Sequence, residues 1–334
     1  MRNWLERRWY AQTPPPRFLR PLAALYGAVA QGVAARRKRQ AVRLPAPVIV
    51  VGNLALGGTG KTPFVMWLVE TLRARGRKPG VVSRGYGGRT GRDPLRVTQH
   101  TDPARCGDEP ALLARRLGVP VAVAPDRVAA ARLLLDSGAA DVIVADDGLQ
   151  HYRLARDLEI CVVDGARGLG NGALLPAGPL REPPARLSEV NFVVVNGGGW
   201  RTALAPCVDL HLRLNEAVSL RDGERRPLAH FAGRRVHAVA GIGHPPRFFA
   251  ALRAAGLQPI EHPFADHHRY AAADLAYDDG LPVLMTEKDA VKCLAFARPD
   301  WWCVPARAEL SAGDAAAVRQ WLDRVFAAFD AAHG

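Results

Sequence analysis

The sequence predicts an α/β protein: a doubly wound, mostly parallel sheet, a second, smaller α/β domain after it, and an N-terminal membrane-interfacial helix before it. Apolar, β-branched runs recur at 48–51, 81–82, 119–123, 142–145, 160–163 and 192–195, and runs without polar alternation are strands covered on both faces. Helix candidates at 110–117 and 127–135 lie between them, the alternation that builds parallel sheets. With 334 residues, 49% of them hydrophobic, the chain is long enough for two domains with real cores. The expected division is an N-terminal segment at 1–44, a core domain at 45–207 and a smaller domain at 208–334.

The first forty residues mix Trp4, Leu5, Trp9 and Tyr10, a run of three prolines, an apolar stretch, and the basic cluster Arg36, Arg37, Lys38, Arg39. The uncharged stretch 21–35 falls short of the roughly 20 residues that span a hydrocarbon core, so a transmembrane helix is not expected. Four basic residues directly after the apolar run are wrong for a signal-peptide cleavage region. An interfacial segment fits, with aromatic and aliphatic side chains among acyl chains and arginines on anionic headgroups. The alternative is a helix packed on the protein's own core.

The strand at 48–51 runs into VGNLALGGTGKTP. Gly57, Gly58, Thr59 and Gly60 form a turn whose backbone N–H groups converge on phosphate oxygens. Lys61 supplies a point charge near the β and γ phosphates, and Thr62 a hydroxyl for Mg²⁺. This is a P-loop, with Ala55 where the usual pattern has its first glycine. The core domain is therefore expected to be P-loop NTPase-like, with ATP and Mg²⁺ as its cofactors.

Further along, SRGYGG places Arg84 after the second strand, beside the phosphate loop if both open at the same sheet edge. In RCGDEP, Asp108 and Glu109 open a helix, either as its cap or as a general base beside the γ-phosphate. The run DVIVADDGLQH sets Asp146 and Asp147 at a strand end, the layout that delivers a carboxylate to Mg²⁺ opposite a phosphate loop. A loop around Arg181 and Glu182 follows, and guanidinium groups there suit a phosphate on the acceptor or on ATP.

In the second domain VDLHLRL alternates as an edge or linker strand, VHAVAGIG and PPRFFAALRAAG form a strand-to-helix unit, and PVLMT, WWCVP and a final helix from Asp314 to about 328 complete it. Adjacent His267 and His268 in an extended segment point to opposite sides, so one is free to enter the cleft between the domains. No helix-spaced HExxH arrangement supplies a third ligand for a metal held by this pair.

The net charge of +13 attracts polyanions: nucleic acid, anionic headgroups or phosphorylated substrates. The basic residues lack an RNP-like aromatic pattern, which ranks a nucleic-acid-dependent ATPase last. A GTPase switch is disfavoured by the missing N-K-x-D element, leaving an ATP-driven switch or metallochaperone as the rival class. Five cysteines without a C-x-x-C pair indicate neither a disulfide framework nor a zinc site.

Taken in order, VGNLALGGTGKTP, SRGYGG, GDEP, DDGLQH, GNGALLPAGPLREP, DHH and TEKD resemble the tetraacyldisaccharide 4'-kinase family of lipid A biosynthesis. The resemblance implies transfer of the γ-phosphate of ATP to the 4'-hydroxyl of a tetraacylated, 1-phosphorylated glucosamine disaccharide, giving lipid IVA. It also implies a peripheral or monotopic protein on the cytoplasmic face of the bacterial inner membrane; separately, no nucleic acid is expected as a partner and no required protein partner is evident. Carried over by position, Lys61 stabilises the transferring group and Thr62 with Asp146 positions Mg²⁺. Asp108 is the base, oriented by His267, and Asp147 and Glu182 support the metal or the base. Arg84, Gln150, His151 and Arg181 contact the acceptor's sugar and 1-phosphate.

Overall fold

The computed structural model describes residues 2–11 and 14–333. Two helices come first, α1 (Arg2–Trp9) and α2 (Arg20–Arg39), the second entered through a 3-10 turn at Arg17–Leu19. The core then runs β1 (Val48–Gly52), α3 (Lys61–Arg73), β2 (Pro79–Ser83), β3 (Leu95–Val97), α4 (Pro103–Cys106), α5 (Asp108–Leu117), β4 (Val121–Val123), α6 (Arg127–Asp136), β5 (Val142–Asp146), β6 (Leu158–Asp164), β7 (Phe192–Asn196) and β8 (Cys207–Arg213). A smaller unit holds β9 (Glu216–Ser219), β10 (Arg225–Pro227), β11 (Arg235–Ala240), α7 (Pro245–Ala254), β12 (Gln258–Pro263), β13 (Val283–Thr286), α8 (Glu287–Cys293) and β14 (Trp301–Val304). The chain ends with β15 (Arg307–Glu309) and α9 (Ala312–His333).

All five residues of β1 are buried. Ile49 and Val51 face one core with Phe64 and Leu68 of α3, while Val48 and Val50 face the other with Leu134 and Ile143. That two-sided burial is why this strand carries no polar alternation. The large sheet has the order β15-β8-β7-β6-β1-β5-β2-β4-β3, parallel from β8 to β4 and antiparallel at both edges. β1 lies between β5 and β6, with Val51 beside Asp146 and Gly52 beside Cys161. The strand order reverses there, and the carboxyl ends around such a reversal form the crevice where open α/β sheets bind ligands.

The smaller sheet runs β10-β9-β14-β13-β11-β12, parallel through its last four strands. The VDLHLRL strand, expected as an edge or linker, is β8 and pairs in parallel with β7 of the large sheet. The final helix, expected to complete the smaller unit, packs Val318, Leu322 and Val325 into the large sheet's core, and β15 pairs with β8. Large-sheet structure thus continues into the 208–334 stretch. Its start also differs from expectation: Ser311 Oγ accepts from the Asp314 backbone N–H at 3.1 Å and donates to the Asp314 carboxylate at 2.8 Å. Ser311 is therefore the capping residue, and Asp314 answers it from inside the first turn.

The helical segment Arg17–Arg39 is longer than the uncharged run 21–35 and is long and apolar enough to cross a membrane by length and composition only, which does not decide between spanning and lying on a membrane. Arginines at both ends continue the helix beyond the uncharged run. Ala23 and Gly27 are its buried residues, and Gly27 sits where a Cβ would lie 2.7 Å from Leu174. Phe18, Leu22, Leu25, Val29 and Val33 form an exposed stripe at helical spacing. Tyr26 donates its hydroxyl to Arg181 O at 3.2 Å, so the helix rests on the loop carrying Arg181.

Candidate active site

The phosphate loop is held by its neighbours. Asn53 donates its side-chain amide to Ala55 O at 2.7 Å and Gly57 O at 3.3 Å. Ala55, the departure from the usual pattern, is buried and bridges Leu180, so the segment is fixed by pairing where other loops use a glycine. Gly60 caps α3 with φ +88°, and a Cβ there would lie 2.1 Å from Asn196 Nδ2, which itself donates to Thr59 O at 3.0 Å. The N-terminus of α3 opens at Lys61 and Thr62, leaving backbone donors for an anion.

Lys61 Nζ lies 3.5 Å from Asp147 Oδ1. Asp147, in the left-handed region at φ +51°, also faces Arg181 Nη1 at 3.3 Å. Burial raises the Asp147 proton affinity, but the charges of Lys61 and Arg181 outweigh it and bring its pKa down to about 2. Asp146 differs: it is wholly buried and neither side-chain oxygen has a hydrogen-bond partner. Burial first, then the charge of Glu109, pushes it up to about 7 despite Lys61. An unpartnered buried carboxylate at the end of the strand beside the phosphate loop is a fit for a divalent cation. Among the described residues no group of three or more His, Cys, Asp and Glu side chains could hold a metal ion, so an ion at Asp146 would need ligands other than such a cluster.

A second network surrounds Arg181, which reaches Gln150 Oε1 at 3.1 Å and Asn53 Oδ1 at 3.1 Å. Glu182 accepts from Gln150 Nε2 at 2.8 Å and from the Tyr152 hydroxyl, so both its oxygens are engaged by neutral donors. His151 Nε2 accepts from the Arg127 backbone N–H at 3.3 Å, and burial, helped by the Arg127 charge, drives the imidazole down to about 4. It is a neutral acceptor at working pH. Arg84 is exposed at the end of β2. Its charge and burial together bring Arg127 down to about 10, burial being the larger cause.

Opposite the loop, Asp108 is the first residue of α5, with Gly107 at the cap position and no side-chain cap bond. Its carboxylate is therefore not consumed by capping. Gly107 has φ +91°, and a Cβ there would lie 2.5 Å from Tyr86 O, so SRGYGG packs directly on this turn. Asp108 Oδ2 meets His267 Nδ1 of the smaller unit at 3.1 Å. Burial would raise the Asp108 pKa, but its hydrogen bond with His267 and the charges of Lys292 and Lys288 hold it below the ordinary carboxylate value. The two histidines do diverge, but His267 sits in a turn at φ +62° and not in the extended segment expected; His268 goes to Asp274 Oδ2 at 3.2 Å, and Tyr86 lies edge-on to the His267 ring at 5.1 Å.

Arg127, Asn53, Asn196, Lys288 and Lys292 were not singled out in the sequence. Asn53 and Lys288 lie inside the motifs VGNLALGGTGKTP and TEKD, and Arg127 follows a strand end at the ligand-binding edge. Asn196 follows the apolar run 192–195 and so also lies at a strand end, whereas Lys292 carries no local signal. The smaller unit also touches the loop itself: a Cβ on Gly243 would lie 2.7 Å from Gly58 N, and Arg247 Nη2 donates to Asn196 Oδ1 at 2.7 Å.

A glycine turn opening a helix at a lysine, a buried aspartate on the neighbouring strand and an Asp–His pair across the cleft define a P-loop phosphotransferase. Residues 16–327 match the family described as tetraacyldisaccharide-1-P 4'-kinase, and the chain belongs to that family. It is 52% identical to the tetraacyldisaccharide 4'-kinase of Pseudomonas aeruginosa strain LESB58 over 304 residues, 88% of this chain and 89% of the relative. The Alkalilimnicola ehrlichii enzyme of the same name is 54% identical over 315 residues, 91% of each chain. Among solved structures, LpxK from Aquifex aeolicus in complex with ATP superposes with a TM-score of 0.79 at 28% identity, covering 92% of this chain and 98% of that one.

Proposed function

We propose that the chain transfers the γ-phosphate of ATP to the 4'-hydroxyl of a tetraacyldisaccharide 1-phosphate, with Asp108 as the base. The contact of Asp108 with His267 across the cleft from Lys61 carries this reading. The acceptor oxygen attacks the γ-phosphorus and its O–P bond forms as the bridging P–O bond breaks, the electron pair leaving with ADP. The hydroxyl proton passes to Asp108, which the surrounding cations keep ionised. Lys61 and the loop N–H groups hold the charge that spreads over the phosphoryl oxygens. Thr62 and Asp146 would hold Mg²⁺, which would supply neutralisation of the charge on the nucleotide's phosphates.

Asp147 orients Lys61 and Arg181, and Glu182 fixes Gln150 and Tyr152. Arg84, Gln150, His151 and Arg181 face the acceptor's sugar and 1-phosphate, a role supported by their position at the ligand-binding edge. The exposed stripe of α2 and its four terminal basic residues suit the cytoplasmic surface of an inner membrane. No nucleic acid or protein partner is required.

The test uses γ-labelled ATP and tetraacyldisaccharide 1-phosphate in detergent micelles. Label is expected in the lipid with wild type and nearly none with Lys61→Ala. Hydrolysis of ATP with no labelled lipid would sink the kinase reading.

A further inference from the structure

We infer that Lys288 fixes the tautomer of His267, so that Nδ1 carries the proton and donates it to Asp108 while Nε2 remains a lone pair. This rests on the Asp108–His267 reading above. Lys288, on the first turn of α8, places Nζ 3.0 Å from Asp266 Oδ1, 3.3 Å from His267 Nε2 and 3.4 Å from Glu109 Oε1. An ammonium group has three donors and no acceptor. Its three partners must therefore all accept, which leaves Nε2 without a proton.

Burial alone would weaken the charge on Lys288, but Glu109 and Asp266 outweigh it and raise its pKa. The group is therefore a donor throughout the working range. An Nε2–H would point at this ammonium, and Asp266 Oδ2, at 3.8 Å from Nε2, is beyond hydrogen-bond reach and offers it no other acceptor. With Nε2 occupied as an acceptor, the only proton on the ring sits at Nδ1, 3.1 Å from Asp108 Oδ2.

The consequence is a division of labour. His267 cannot take the substrate proton at Nδ1, which already bears one, and Nε2 faces a cation. The proton from the acceptor hydroxyl ends on Asp108, and His267 is an orienting donor. Lys288 is thus a positioning residue that acts through His267, besides the charge it adds near Asp108. Lys292, 3.7 Å from Asp108 Oδ2 and 2.9 Å from Asp289 Oδ1, adds positive charge on the same side but touches neither ring nitrogen.

The experiment records ¹⁵N spectra of the full-length enzyme labelled at histidine, with the His267 signals assigned by their loss in His267→Gln. The wild-type ring should show a protonated Nδ1 and an unprotonated Nε2. Lys288→Met should give a mixture of tautomers or an imidazolium and lower kcat on the order of tenfold to a hundredfold with KM for ATP little changed. Lys288→Arg, which keeps donors at this place, should recover the spectrum and much of kcat. A wild-type proton on Nε2, or a Lys288→Met enzyme with unaltered tautomer whatever its kcat, would overturn the inference. Should Lys288→Met fail to fold, Lys288→Gln, whose amide can accept from an Nε2–H as well as donate, takes its place in the same comparison. Full activity in His267→Gln would instead remove the Asp–His reading on which it stands.

Discussion

Asp108 and His267 lie 159 residues apart in sequence and meet at 3.1 Å, one from the start of α5 and one from a turn of the smaller unit. His267 holds a positive φ of 62° to reach across, a conformation that costs a non-glycine residue on the order of 1 kcal/mol. The contact therefore depends on both units being in place.

Removing His267 should shift the pH dependence of turnover. Asp108 works as a base when ionised, so activity is lost as pH falls through its depressed pKa. Burial raises that pKa while His267, Lys292 and Lys288 lower it. His267→Ala deletes one lowering contribution and leaves burial, so the acid limb of the kcat profile should move toward neutral pH and the plateau should drop. A pH–kcat profile of the variant checks this; an unmoved acid limb contradicts it.

Asp146 should make the nucleotide-free protein less stable as pH rises. Its folded pKa is raised to about 7 above an unfolded value of about 4. The stabilising contribution is fully present below about 4 and is lost as pH rises through about 7. Asp146→Asn removes that dependence, so its Tm should exceed that of wild type at pH 8 and not at pH 4, while Mg²⁺-dependent transfer is lost. Thermal unfolding at the two pH values without nucleotide is the measurement.

Gly60→Ala should break the phosphate loop. The position has φ +88°, and the added Cβ would lie 2.1 Å from Asn196 Nδ2, which bonds Thr59 O. A cost of about 1–3 kcal/mol is expected, visible in urea unfolding, together with loss of ATP binding by titration. A variant that binds ATP as wild type does would show that the loop tolerates a rearrangement.

Leu25→Glu should weaken membrane binding without unfolding the protein. Leu25 is 63% exposed within the apolar stripe of α2, and substitutions at such surface positions usually change stability by no more than about 0.5 kcal/mol. Co-sedimentation with anionic vesicles should fall while Tm stays near that of wild type. Unchanged vesicle binding would move the membrane contact elsewhere.

The parallel core was legible because its strands are buried on both faces, which writes an unbroken apolar run into 48–51, 142–145 and 192–195. Strands with an exposed face or edge left no such mark: β3 with its half-exposed Leu95–Val97, β12 with a mixed face, and the three-residue β10 and β15. The destination of α9 was hidden as well, since an amphipathic helix does not say which core it covers. In the site, the phosphate loop and Asp146 were readable because each is a contiguous strand-and-turn motif. Asn196, Lys288 and Lys292 were not assigned roles, because those roles arise from proximity between segments more than twenty residues apart, or, for Lys288, from a partner on the other unit.

The most direct measurement is kcat for phosphate transfer to tetraacyldisaccharide 1-phosphate by Asp108→Asn, with KM for ATP determined alongside. The account predicts a loss in kcat of about a hundredfold or more, with KM for ATP within a few-fold of wild type. An Asp108→Asn enzyme with wild-type kcat would contradict it, because the acceptor proton would then have another destination.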